Sequence, residues 1–197
     1  VHDAVLRLVE GSCDLLIAYH HSAQPFQLDP QRYEMVLLGQ ESIEPYSRPL
    51  ADGSAMFTLP GRAGQPIPYL GYAPGAYLGQ MVDLILKQSP TPIHFDRVYE
   101  TDMAEGLKAM ALEGHGVAFL PHSAVAAELR AGRLVSAVPP EMGSLQTTME
   151  VRAYRECATH LEAHRTPAGK ATAGNGKGRS HGNRYSTQSL WDYLLAA

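Results

Sequence analysis

The residues of this chain whose types and spacing could do chemistry are His20 with His21, His115 with His122, Cys13 and Cys157, and the two glycines of MALEGHGVAFLP, Met110 to Pro121. The histidines raise the question of a metal. Adjacent side chains on a strand point to opposite faces, so His20 and His21 are poor partners for one ion. His115 lies in a glycine turn at the far end of its helix, and the reading is that no metal is held. The cysteines are far apart and lack metal-ligand spacing, which argues against both a zinc site and a disulfide framework. No Gly-x-Ser-x-Gly elbow is present, and neither cysteine has a histidine beside it in sequence, so no nucleophilic enzyme can be assembled. Cofactors are accordingly expected to be none.

Gly114 and Gly116 could suggest a phosphate loop. Such a loop has the strand first, with glycines opening a helix whose amides face the anion. Here the order is reversed, with a helical run before the glycines and the apolar run VAFLP after them. The pair therefore reads as a helix C-cap, Gly114 supplying the left-handed conformation and Gly116 letting the strand start close by.

These residues need elements to position them. Val5, Leu8 and Val9 share one face of a helix over 3–9 that Gly11 ends. DLLIAYH, 14–20, reads as a strand covered on both faces. YEMVLLGQES is a second strand, and the Pro- and Gly-rich residues 47–69 read as a crossing to another lobe. PYLGY is a short strand. After the turn APG comes a helix with Leu78, Met81, Val82 and Ile85 on one face. IHFDRVYE is extended and leads to a helix starting at Thr101 or Asp102, with Asp102 as N-cap and Glu105 completing a capping box. Ser123 is placed to cap the helix SAVAAELRA, which Gly132 ends, and RLVSAV is a further strand. TTMEVRAYRE, 147–156, alternates as a strand returning to the first lobe. HRTPAGKATAGNGKGRSHGN is Gly-rich and basic, with Lys170, Lys177, Arg179 and Arg184, and reads as a mobile insertion over about 160–184. TQSLWDYLLAA carries an apolar stripe of Leu190, Trp191, Leu194 and Leu195.

The alternation of helix, turn and strand is that of an α/β sheet. A length of 197 residues allows one domain or two small ones, and 45% apolar with 18% charged residues is a globular composition. No apolar run approaches the roughly 20 residues of a membrane span, and the start VHDAVLRLVEG is an amphipathic helix and no signal peptide, so a cytoplasmic site and no membrane partner are expected. A net charge of -4 argues against nucleic-acid binding by the domain itself.

Two ordered stretches, AVLRLVEGSCDLLIAY and LKAMALEGHGVAFLPHSAVAAELRAGRLV, resemble the effector-binding domain of LysR-type transcriptional regulators. The resemblance covers about residues 3–155. It implies a type 2 periplasmic-binding fold, two α/β lobes around a ligand cleft, with residues 1–60 and 138–197 as lobe I and 61–137 as lobe II. Against the family pattern, the first strand and helix of lobe I and the winged helix-turn-helix are absent, so DNA would be met only through a domain this sequence does not hold. The resemblance further implies a homodimer or homotetramer in the intact regulator. HHSAQPFQLDPQR, YAPGAYLGQMVDLIL and TDMAEGLKAMALEGHGVAFLP look most like the hypochlorite-responsive subgroup, where methionines sense oxidant. Met103 matches one such position, while Leu78 stands where another methionine would be.

In such a fold a small effector meets helix N-termini, whose amides favour anions. The expected effector-binding residues are Pro74, Gly75, Ala76 and Tyr77 at one helix start, Thr101 and Asp102 at another, and His20 on the opposite lip. Asp102, as a carboxylate, would compete with an anion for the same amides. Met103 is the possible redox sensor, although its spacing to Leu107, Met110 and Ala111 also suits ordinary core. The alternatives to an effector-sensing regulatory domain are a solute-binding receptor of the same fold and a methionine-oxidation sensor.

Overall fold

The computed structural model describes residues 2–157 and Leu194. The basic insertion and most of the C-terminal stripe lie outside them, and Leu194 is half-buried in a helix. The chain divides into two compact units, Val1–Gly39 with Glu150–Ala197, and Gln40–Met149.

In the first unit α1 (His2–Val9) is followed by β1 (Leu16–His20), the opening part of β2 (Tyr33–Ser47) and the closing part of β7 (Thr147–Glu156). The strand order is β1-β7-β2. β1 and β7 run antiparallel, with Leu16 opposite Tyr154 and His20 opposite Glu150. Leu8, Leu16, Ala18, Tyr33 and Tyr154 form the core, with Ala4, Val5, Cys13, Phe26 and Leu28 packed against it. Leu8 is the one buried residue of the stripe expected on α1, and Val9 is exposed. β1 corrects a second expectation. Its side chains alternate between buried and open, and Ile17 is 52% exposed, so only one face of the strand is covered by the described residues. A run of apolar letters does not distinguish a strand covered twice from one covered once. One ion pair joins β2 to β7, Arg155 to Glu34 at 2.7 Å, and a second, Arg32 to Glu156 at 2.8 Å, ties the residue just before β2 to the end of β7.

The second unit is built on β2, β5 (Val117–Pro121), β3 (Ile67–Tyr72) and β4 (Phe95–Thr101), in that order, with β6 (Val135–Ser136) pairing with β2. β3 runs parallel to both β4 and β5, while β2 is antiparallel to β5. Here the continuous apolar run means what it suggests, because every residue of β5 is buried. α2 (Tyr77–Gln88) buries Met81, Val82 and Ile85, α3 (Ala104–Leu112) buries Leu107 and Ala111, and α4 (His122–Arg130) buries Val125. A single 3-10 turn, Pro140–Met142, precedes β7.

The Gly-x-Gly turn behaves as its sequence order requires. Gly114 has φ +82°, the left-handed conformation that ends α3. A Cβ on Gly116 would stand 2.5 Å from the Pro68 carbonyl oxygen, so this glycine lets β5 start hard against β3. RLVSAV pairs over only Val135 and Ser136, shorter than its apolar pattern suggests.

Candidate functional site

Three parallel strands of the second unit end together and each feeds a helix: β3 into α2, β4 into α3, β5 into α4. The carboxyl edge of a parallel sheet gathers helix N-termini there, and with them backbone amides and the positive ends of helix dipoles. The ends of β3 and β4 are tied by the Ala73 amide, which donates to the Thr101 carbonyl at 2.9 Å. A turn closed by the Ala76 amide on the Ala73 carbonyl, 3.1 Å, then carries Pro74 and Gly75. Gly75 has φ +83°, and a Cβ there would touch nothing within 4 Å, so the backbone faces open space. No side chain caps α2 at Ala76.

The second helix start differs from its reading in sequence. α3 begins at Ala104 with Met103 as N-cap, and no side chain caps it in the N-cap position. Asp102 is therefore not the N-cap. In the turn before the helix, Thr101 Oγ1 accepts from the Met103 amide at 3.3 Å. Glu105 closes no capping box either: with Met103 as N-cap it stands at N2, not N3, and its carboxylate pairs with Lys108 Nζ at 2.7 Å. Met103 is 63% exposed while Leu107 and Ala111 beyond it are fully buried, so it stands outside the core that its spacing suggested.

The third helix start also overturns an expectation. Pro121 is the N-cap of α4, and Ser123 does not cap with its hydroxyl. Its amide donates to Glu41 Oε1 at 3.2 Å. Glu41, 7% exposed on β2, thus places a carboxylate at the α4 N-terminus from 82 residues away in sequence.

A cavity of about 220 Å³ opens beside the α2 start and is lined by Pro74, Gly75 and Ala76 among the expected residues. Tyr77 begins α2 half-buried and is not part of that lining. Two charged residues that the sequence reading missed do line it, Asp83 and Arg97. Arg97 Nη1 donates to Glu100 at 2.8 Å and to the Tyr72 carbonyl at 3.4 Å, with its guanidinium 5.5 Å from the centre of the Tyr69 ring. An arginine at the middle of a strand bounded by aromatics was the only available signal.

His20 belongs to the first unit. Its ring meets Phe26 edge-on at 5.9 Å, and Nδ1 is 3.9 Å from Glu150. Burial and then the Arg152 charge hold its pKa below the ordinary 6.5, with Glu150 opposing them. The histidine is thus kept neutral near neutrality and packed as well as polar. His115 and His122 are exposed at opposite ends of α3 and α4, and no set of three metal-ligating side chains converges among the described residues.

An α/β unit with helix starts converging at a parallel sheet edge is an architecture for holding small ligands. The chain belongs to the LysR substrate-binding domain family, whose description matches residues 1–166. Its fold is the type 2 periplasmic-binding fold of effector-sensing regulatory domains. It is 30% identical over 136 residues to the HTH-type transcriptional regulator YjiE of Escherichia coli K12, a match covering 68% of this chain and 42% of that protein. The same identity and the same share of this chain relate it to the HTH domain-truncated transcriptional regulator QseD of Escherichia coli O157:H7, where 52% of the relative is covered. The chain thus spans about half the length of the curated relatives it matches. Among solved structures it resembles the apo regulatory domain of HypT from Salmonella typhimurium, with TM-score 0.71 and 25% identity over all of this chain and 78% of that one. Full-length HypT, described as a hypochlorite-specific LysR-type regulator, gives TM-score 0.67 at 26% identity over 83% of this chain and 53% of that one.

Proposed function

We propose that this chain senses a small effector at the carboxyl edge of its second unit and passes the outcome to DNA-binding arms in the whole regulator, as a homodimer or homotetramer in the cytoplasm. In this reading the two units are the two lobes of the fold. The observation that carries it is the edge itself, where the open turn Pro74–Gly75–Ala76 and Thr101 lie on adjacent parallel strands joined by the Ala73 amide. An effector that binds one arrangement of the lobes better than another shifts the equilibrium by that difference in affinity. The test is a broad panel of small metabolites screened by thermal melting, with amide resonances of Gly75, Thr101 and Met103 followed by NMR. Ligands should raise the melting temperature and shift those resonances together. A panel that moves neither, or shifts only resonances far from this edge, defeats the reading.

A second reading has its own support. Met103 is 63% exposed at the start of α3, open to an oxidant, and the similar HypT is described as hypochlorite-specific. Oxidation to the sulfoxide would place a polar, chiral group beside Thr101 and the α3 amides. Leu78, on α2, is no methionine, so a response here would run through Met103. Peptide mapping after stoichiometric hypochlorite should find Met103 modified first; modification led by other methionines would remove this reading.

A further inference from the structure

The cavity beside α2 has charged walls of opposite sign that do not pair with each other. Ala76, Gly79, Gln80 and Asp83 all line it, and they stand at i, i+3, i+4 and i+7, one face of the helix. Gly79 lies close to β3, since a Cβ there would be 3.0 Å from Tyr72 Cβ, and the helix face towards the cavity is small until Gln80 and Asp83. Asp83 is exposed, and among the described residues its carboxylate has neither an ion pair nor a hydrogen bond.

Arg97 also lines the cavity. Only Nη1 of its guanidinium is engaged, by Glu100 and the Tyr72 carbonyl, leaving Nε and Nη2 without hydrogen-bond partners among the described residues. The plane is held against Tyr69, and Gly71 makes the room: a Cβ there would stand 3.1 Å from Arg97 Cζ and Nε. Both charges act on one buried hydroxyl. Burial raises the Tyr69 pKa to about 12, with Arg97 lowering it and Asp83 raising it, so both charges act on the ring that lines the same cavity.

A guanidinium with an open fork binds a carboxylate, with two parallel hydrogen bonds available on the Nε–Nη2 edge. An unpaired carboxylate lining the same small cavity binds an ammonium. A ligand that carried only a carboxylate would meet Arg97 already half-neutralised by Glu100 and would face Asp83 as a like charge. We infer that this cavity selects a small zwitterion, an α-amino acid, with its carboxylate on Arg97 and its ammonium on Asp83. The inference rests on the reading of this sheet edge as the effector site and gives that site a ligand class.

The experiment is calorimetric titration of the chain with the common amino acids, each beside its des-amino carboxylate and its decarboxylated amine, for the unaltered protein, Asp83→Asn and Arg97→Gln. Both side chains are substantially exposed, so the variants should keep the unliganded melting temperature, which is measured alongside. At least one amino acid should bind at least tenfold more tightly than either analogue. Asp83→Asn should erase that preference over the carboxylate, and Arg97→Gln should abolish binding of both. Carboxylates binding as well as amino acids, with Asp83→Asn silent, would overturn the zwitterion while leaving an effector site at this edge. Failure of every member to bind would overturn the inference outright, and the metabolite screen above would then judge the effector reading separately.

Discussion

Replacing Gly116 by alanine tests the tightest of the glycine positions in the second unit. The added Cβ would lie 2.5 Å from the Pro68 carbonyl oxygen, 2.9 Å from its carbon and 3.2 Å from Leu70 Cγ. Favourable separations between heavy atoms begin near 3.5 Å, so the overlap with the carbonyl is about 1 Å. The atoms in the way are backbone, and a rotamer change cannot relieve them. β3 and β5 must part where Tyr69 pairs with Val117 and Leu70 with Ala118, in the middle of the buried sheet. Overpacking of this kind costs about 3 kcal/mol, the upper part of the usual range. For a chain of this length, where each kcal/mol moves the melting temperature by about 2–4 °C, unfolding of the second unit should fall by about 6–12 °C. Circular dichroism melting and urea denaturation both read it. Gly132→Ala is the comparison, because Gly132 has φ +63° and nothing within 4 Å of a Cβ, so it loses only the left-handed preference, about 1 kcal/mol. If Gly116→Ala melts no lower than Gly132→Ala, the steric account of the turn is wrong.

Glu41→Ala should destabilise the second unit by about 1 kcal/mol through loss of the acceptor for the Ser123 amide, whereas Glu41→Gln, which keeps an oxygen there, should cost less; urea midpoints compare them. His20 gives a pH dependence. Its pKa is depressed in the folded chain, so the unfolded chain binds more protons as pH falls through 6.5, and stability is present above that pH and lost below it. The melting temperature of the unaltered chain should drop between neutrality and mild acid, and His20→Gln should flatten that part of the profile. Met103→Gln, at an exposed site, should change stability by less than about 0.5 kcal/mol, so any altered response to oxidant in that variant reports on sensing and not on folding.

Much of the fold is local, and those parts are legible in the sequence. The helix-turn-strand order around Gly114 leaves one conformation for that glycine, and φ +82° is what the C-cap requires. The alternation of TTMEVRAYRE marks β7 to its ends, Thr147 and Glu156. The open turn at Pro74–Gly75 is written in its two residues for the same reason, since the backbone conformation there follows from the residue types. What pairs across the sheet is not written locally. Two helix starts have a capping side chain close by in sequence, Asp102 and Ser123, yet Met103 and Pro121 take the N-cap positions, and Glu41 reaches Ser123 from β2. Ile17 has an apolar letter in an apolar run and faces outward, because coverage of a strand is decided by which elements pack on it. Arg97 and Asp83 are 14 residues apart, on a strand and a helix, and no spacing rule places them on one cavity. The parallel pairing of β3 with β4 and the seat of α2 bring them there, and those depend on burial and register summed over the whole unit.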